Sequence, residues 1–118
     1  MIKFEKYFIA NKYGKSNCVV RTFCKIFNKD YDTVFNDLLA LTDELKAESF
    51  SSGEVFEKYL KDNSFQRIKY GEGLQVKDLE LDNDTYVVFC YNKKDWYHMV
   101  PIIDNVLYDR QKKPLIYT

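Results

Sequence analysis

The spacing of apolar residues predicts three amphipathic helices in the first half of the chain. The first pattern begins at Cys18, so we expect a helix that starts at or next to this residue, with Ser16 or Asn17 as its N-cap. Ser51 and Glu54 match a capping box ahead of the third pattern. The apolar positions of the three patterns are, in order, Val20, Phe23, Cys24 and Phe27, then Tyr31, Val34, Phe35, Leu38, Leu41 and Leu45, then Val55, Phe56, Tyr59 and Leu60.

From Phe65 onward the pattern changes to short runs of β-branched and aromatic residues, which is typical of β-strands. Polar segments at residues 92–95 and at Asp104-Asn105 separate the last three runs, so we expect three consecutive strands in a meander. The chain is therefore predicted to have an α+β fold, with N-terminal helices packed on a C-terminal antiparallel sheet. The predicted strands are Gln66–Tyr70, Tyr86–Tyr91, Trp96–Ile103 and Val106–Tyr108.

Length and composition fit one small domain. The 118 residues match the size of a single core, so residues 1–118 are expected to form one domain. The formal net charge is zero, which argues against nucleic acid or an anionic membrane as the partner. The N-terminal segment is too charged for a signal peptide, and no run approaches the ~20 apolar residues of a membrane span. A cytoplasmic protein is therefore expected.

The three cysteines differ in their expected surroundings. Their odd number and wide spacing favour reduced thiols over a disulfide. Cys24 lies on the apolar stripe of the first helix and Cys90 in an apolar strand, and both are interpreted as core residues. Cys18 lies about 120° from that stripe, in the first helical turn, where backbone N–H groups and the helix dipole stabilise a thiolate. Arg21, one turn later, is a secondary candidate for assisting this thiol or binding a substrate carboxylate, with solvation or a salt bridge as the ordinary alternative.

His98 is the only histidine in the chain, which makes it the candidate base for a cysteine nucleophile. If Asp104-Asn105 is the turn of a hairpin, residues whose numbers sum to 209 lie opposite each other. Asp109 then shares a face with His98 and lies diagonal to it. A carboxylate there would fix the imidazole tautomer and stabilise its cation. Cys18, His98 and Asp109 are therefore predicted to form a triad.

Pro101 leaves the third member of the triad open. It has no backbone N–H, so one hydrogen bond of the ladder is missing wherever it lies. A bulge there would change which carboxylate faces His98, and a four-residue loop would keep the pairing sum while freeing Pro101. Asp109 is the first choice and Asp104 the second. Either residue could instead be solvated at the hairpin tip or the strand end.

The order of these parts also carries a family resemblance. Residues 16–21, Ser-Asn-Cys-Val-Val-Arg, open a helix, further helices follow, and a histidine-bearing strand and a short hairpin ending in Tyr108-Asp109 come last. This layout resembles that of the papain-like cysteine peptidases, and most closely that of their small bacterial and phage-type members. The resemblance implies Cys18 as the nucleophile, His98 as the base and Asp109 as the residue that orients it.

The chain departs from that family in two respects. Papain-like peptidases usually place a glutamine before the cysteine to stabilise the oxyanion, whereas the first glutamine here is Gln66. Asn11 or Asn17, together with the backbone N–H of Cys18, would have to take that role. The spacing of eleven residues from histidine to aspartate is also short for the superfamily.

Together these features predict a cysteine hydrolase, that is a peptidase, isopeptidase or amidase, acting on a protein or peptide substrate. No cofactor or metal is expected, because one histidine and scattered cysteines do not assemble a zinc site. Two alternatives stay open. The first is a papain-like scaffold that works as a non-catalytic binding module, such as a phage or mobile-element inhibitor of a host factor. The second is an acyltransferase or deamidase with the same triad, since the fate of a thioester depends on its acceptor.

Overall fold

The computed structural model describes residues 2–7, 18–68, 74–91, 97–111 and 113–116. These residues form an α+β fold with three helices and a four-stranded sheet, and no helix among them is long and apolar enough to cross a membrane. Short 3₁₀ turns lie at Val76–Asp78 and Lys113–Ile116. The helices and strands are β1 Lys3–Lys6, α1 Cys18–Phe27, α2 Tyr31–Leu45, α3 Gly53–Asp62, β2 Thr85–Tyr91, β3 Tyr97–Ile103 and β4 Val106–Asp109.

All three predicted helices are present, and α1 begins at Cys18 as its periodicity indicated. Asp30 caps α2, because its carboxylate accepts a hydrogen bond from the backbone N–H three residues later at 2.8 Å. The predicted capping box of α3 is wrong. The N-cap is Ser52, not Ser51. The Ser51 side chain instead contacts Ser49: the two hydroxyl oxygens lie 3.0 Å apart, and the Ser51 backbone N–H donates to the Ser49 hydroxyl at 3.1 Å.

The sheet has buried residues on both faces. Alternation along β3 turns Met99 to one face, where it joins the core of the helices, and Val100 and Ile102 to the other. The buried residues of the helical core are Val19, Val20, Phe23, Cys24, Tyr31, Val34, Leu38, Val55, Phe56, Tyr59 and Met99. Those of the second core, which includes the 3₁₀ turn at Val76, are Ile2, Val76, Cys90, Val100, Ile102 and Leu107.

The sheet is mixed, which corrects the prediction of a purely antiparallel sheet. The predicted meander of β2, β3 and β4 is confirmed, but β1 adds a fourth strand parallel to β4, in the order β1-β4-β3-β2. Lys6 pairs with Asp109 in this register, and the Tyr7 N–H donates to the Asp109 carbonyl at 2.8 Å. The sequence of β1 has no alternation of apolar and polar residues that would predict a strand, because Phe4 is its only partly buried residue. Its partner strand, β4, also lies about a hundred residues later in the chain.

The prediction of a strand over Gln66–Tyr70 is wrong for the described part of that run. Residues 65–68 form no strand, and residues 69–73 lie outside the described residues. This segment instead packs on the helices through its side chains: the Phe65 ring lies 5.9 Å from the Phe27 ring, and Arg67 pairs with Glu57 of α3 at 2.9 Å. Aromatic and β-branched composition alone therefore misassigned a helix-packed segment.

The hairpin of β3 and β4 has the predicted two-residue turn. Asp104 and Asn105 both have positive φ, 50° and 63°, as a tight hairpin with primed-type geometry requires. The observed pairs, Ile102 with Leu107 and Ile103 with Val106, each sum to 209, which confirms the register. The alternative of a four-residue loop is thereby excluded.

Candidate active site

Helix α1 lies beside the first residues of β3, where the β3–β4 pairing has ended. Residues that flank a two-residue turn exchange backbone hydrogen bonds, so Ile103, Pro101 and Met99 direct their backbone polar groups toward the β4 side. Pro101 has no N–H to give there, and β4 ends at Asp109, before it could reach Met99. The Met99 carbonyl accepts instead from the Thr22 hydroxyl of α1, at 3.1 Å. This contact docks α1 against the start of β3.

The structure brings the three predicted triad residues together at this junction. His98 Nε2 lies 2.7 Å from Asp109 Oδ2, and the Cys18 side chain lies close enough to His98 to raise the pKa of the imidazole. The carboxylate engages Nε2, and Nδ1 is the other, buried nitrogen of the ring. His98 and Asp109 are 7% and 1% exposed, whereas Cys18 is partly exposed and is therefore the most accessible residue of the three.

Asp109, rather than Asp104, is the carboxylate that faces His98. Its second oxygen, Oδ1, accepts from Arg21 Nη2 at 2.8 Å, and the backbone N–H of Arg110 also hydrogen-bonds the carboxylate. Pairing with β1 holds its backbone. Asp104 lies exposed in the turn at the other end of β3. The diagonal placement derived from the hairpin register therefore describes the observed contact.

The electrostatics of the pair favour an imidazolium opposite a carboxylate. Burial alone would lower the pKa of His98, but hydrogen bonds to Asp109 and Cys18 and the charges of both raise it to about 9. Burial alone would raise the pKa of Asp109, but the hydrogen bond and charge of His98, the Arg110 N–H and the Arg21 guanidinium hold it below its ordinary value. The histidine is thus poised to be charged at neutral pH.

The other two cysteines are buried, as predicted, and differ chemically from Cys18. Burial, with a smaller effect of the Asp30 charge, raises the pKa of Cys24 to about 11. Burial, followed by the charges of Asp109 and Cys18, raises the pKa of Cys90 to about 12, and its thiol donates to the His98 carbonyl at 3.3 Å. Both thiols are therefore protonated and poorly nucleophilic across the physiological range.

Arg21 is the residue of the site whose place the periodicity did not reveal. It is neither solvated nor at the surface: it is 4% exposed and paired with Asp109. The spacing in the sequence could have predicted its place near Cys18, because Cys18, Arg21 and Thr22 stand at i, i+3 and i+4 and share one face of α1. Helix α1 thus buries two faces, and all residues from Val19 to Cys24 are buried.

The predicted oxyanion donors Asn11 and Asn17, and Ser16 as the alternative N-cap, lie outside the described residues. Their roles stay predictions. Within the described part of the chain, no three His, Cys, Asp or Glu side chains cluster so as to hold a metal ion.

Comparison with protein-family models, curated proteins and solved structures returned no match. The chain is an α+β protein in which a buried histidine and a buried aspartate are hydrogen-bonded, and a partly exposed cysteine at the start of a helix lies beside the histidine.

Proposed function

We propose that the protein is a cysteine hydrolase of papain-like arrangement that cleaves amide or isopeptide bonds. The observation that carries this proposal is the position of His98, which hydrogen-bonds the buried Asp109 and lies beside Cys18. A nucleophile in contact with a base that is itself oriented by a third group is the arrangement that covalent acyl transfer requires. The raised pKa of His98 further supports a thiolate–imidazolium pair.

The proposed reaction has two halves. The Cys18 thiolate attacks the carbonyl carbon, an S–C bond forms, and the carbonyl electron pair moves to oxygen. The tetrahedral intermediate collapses, the C–N bond breaks, and the leaving amine takes the proton of the His98 imidazolium. Water then attacks the thioester while neutral His98 accepts its proton, and the acid product leaves as the thiolate and imidazolium are restored.

The start of α1 supports charge development next to the sulfur. The first turn of a helix leaves backbone N–H groups without an intrahelical acceptor, and Cys18 is its first residue. Such donors stabilise both a thiolate and the oxyanion of the tetrahedral intermediate. Asn11 or Asn17 is the proposed second oxyanion donor.

The pH dependence of Cys18 alkylation tests the ion pair. Iodoacetamide should modify Cys18 in the wild-type protein well below pH 7, whereas in His98→Ala the rate should follow an ordinary thiol with a pKa of about 8.5. Peptide mapping by mass spectrometry assigns the modified residue, and Cys24 and Cys90 serve as internal controls because both are buried with strongly raised pKa values. An ordinary thiol profile in the wild type, unchanged by His98→Ala, would refute the proposal.

Turnover of p-nitrophenyl acetate separates a catalyst from a binding module that merely holds a reactive thiol. We expect repeated release of p-nitrophenolate by the wild type and none above background in Cys18→Ser. His98→Ala should lose the deacylation step, because no base remains to activate water. A single stoichiometric acylation of the wild type without turnover would favour the non-catalytic reading.

A further inference from the structure

Arg21 is built into the candidate site more deeply than the hydrolase proposal requires. Its guanidinium is buried, and Nη2 lies 2.8 Å from Asp109 Oδ1, while the other carboxylate oxygen faces His98 at 2.7 Å. Arg21 also stands one turn after Cys18 on the same rigid helix. The nucleophile and the cation that anchors the carboxylate therefore move as one body.

We propose that Arg21 is a positioning residue that holds the Asp109 carboxylate against His98, and that its charge extends the Cys18–His98 ion pair to lower pH. This inference rests on the proposed function of the same site. Its physical basis is charge balance: Arg21 and His98 carry positive charge, and Asp109 and the Cys18 thiolate carry negative charge. The set sums to zero with Arg21 and to minus one without it.

The sign of the effect follows from that balance. Removing a nearby positive charge raises the pKa of every group around it, so the thiolate would form at higher pH. Among the described residues, Cys90 of β2 lies near Asp109 and Cys18, and Tyr7 after β1 lies near Arg21 and Cys24 of α1. The pKa of each of these three groups is raised, with burial as the largest cause. They are neutral near pH 7 and cannot replace the lost charge.

The experiment compares pH profiles of Cys18 alkylation by iodoacetamide. In each profile the low-pH limb is the range in which the alkylation rate rises as the thiolate forms. We expect Arg21→Met to move this limb to higher pH by about one unit. Arg21→Lys keeps the charge, so its limb should stay close to that of the wild type. Lys25→Met is the matched control, since it removes a cation one turn further along α1, where Lys25 Nζ lies 4.1 Å from the Tyr108 ring centre. That variant should shift the limb by less than about a third of a unit.

A merely structural role would lower the amount of folded protein without moving the limb. An unmoved limb in folded Arg21→Met overturns the proposal, and so does an equal shift in Lys25→Met. If Arg21→Met does not fold, Arg21→Gln keeps a donor for Asp109 without the charge, and the same upward shift is expected. If the wild type shows no alkylation of Cys18 at low pH, the ion pair itself is refuted. If the wild type shows it and the Arg21 variants show the same pH dependence, only this inference is refuted.

Discussion

Replacing Asp109 by asparagine tests the electrostatic core of the site in a single atom change. Burial lowers the pKa of His98, but the opposing effects of Asp109 and Cys18 are larger. The net rise from 6.5 to about 9 corresponds to about 3 kcal/mol of preference for the imidazolium. Asparagine removes the carboxylate charge but leaves the burial that opposes protonation. We therefore expect the pKa of His98 to fall by about 1–2 units in Asp109→Asn.

His98 is the only histidine, so one ring C–H resonance reports this titration by NMR without assignment ambiguity. The matched control is Asp104→Asn, which removes an exposed carboxylate at the other end of the hairpin and should leave the titration in place. Equal titrations of the wild type and Asp109→Asn would refute the reasoning. A wild-type His98 that titrates near 6.5 would refute it as well.

The same variant has a stability consequence with a definite pH dependence. Asp109→Asn removes the anion that pairs with the buried Arg21 cation, and breaking a buried ion pair in this way costs about 3–5 kcal/mol. Because the folded-state pKa of Asp109 is lowered, its contribution is fully present above its unfolded value of about 3.9 and is lost as pH falls through the folded value. Urea unfolding should therefore show a large difference at pH 7 that narrows below about pH 4. A difference that is constant with pH would contradict this account.

Substitutions at two further positions test the parts that position the site. Thr22→Val should lower the free energy of unfolding in urea by about 1–3 kcal/mol, because the Met99 carbonyl loses its donor. Thr22→Ser keeps the hydroxyl and should retain most of the stability. Equal stabilities of the two variants would argue against the docking contact. Asp104→Val should cost about 1–2 kcal/mol, because a β-branched residue is strained at a φ of 50°, whereas Asp104→Asn should change stability by only a few tenths. A neutral Asp104→Val would mean that the turn relaxes at no cost.

Local periodicity predicted the parts of the site whose geometry depends on short stretches of chain. Helical phase separated Cys18 from the stripe that contains Cys24, and the turn at Asp104-Asn105 set the register that relates His98 to Asp109. Both deductions use only the repeat of one element or one hairpin. They succeed because no distant segment can change them.

The remaining features depend on contacts between distant segments, which local patterns do not specify. The parallel strand β1 forms because β4 offers it an edge, although its own sequence buries only Phe4 in part. The run at 66–68 has strand composition, yet Arg67 pairs with a helix. The burial of Arg21 likewise follows from the position of Asp109, 88 residues later. In each case the partner decides the outcome.

The candidate site exists because the β3–β4 ladder stops where it does. A longer ladder would occupy the Met99 carbonyl and exclude α1 from the edge of β3, and Pro101 removes one of the N–H groups that such a ladder needs. With α1 in that place, Thr22 docks the helix and Arg21 anchors Asp109, while Cys18 meets His98. These three residues share one face of α1, because successive residues of a helix are rotated by about 100° around its axis. One turn of helix thus couples the docking contact, the carboxylate anchor and the candidate nucleophile, so a local rotation of this turn would separate all three from the sheet together.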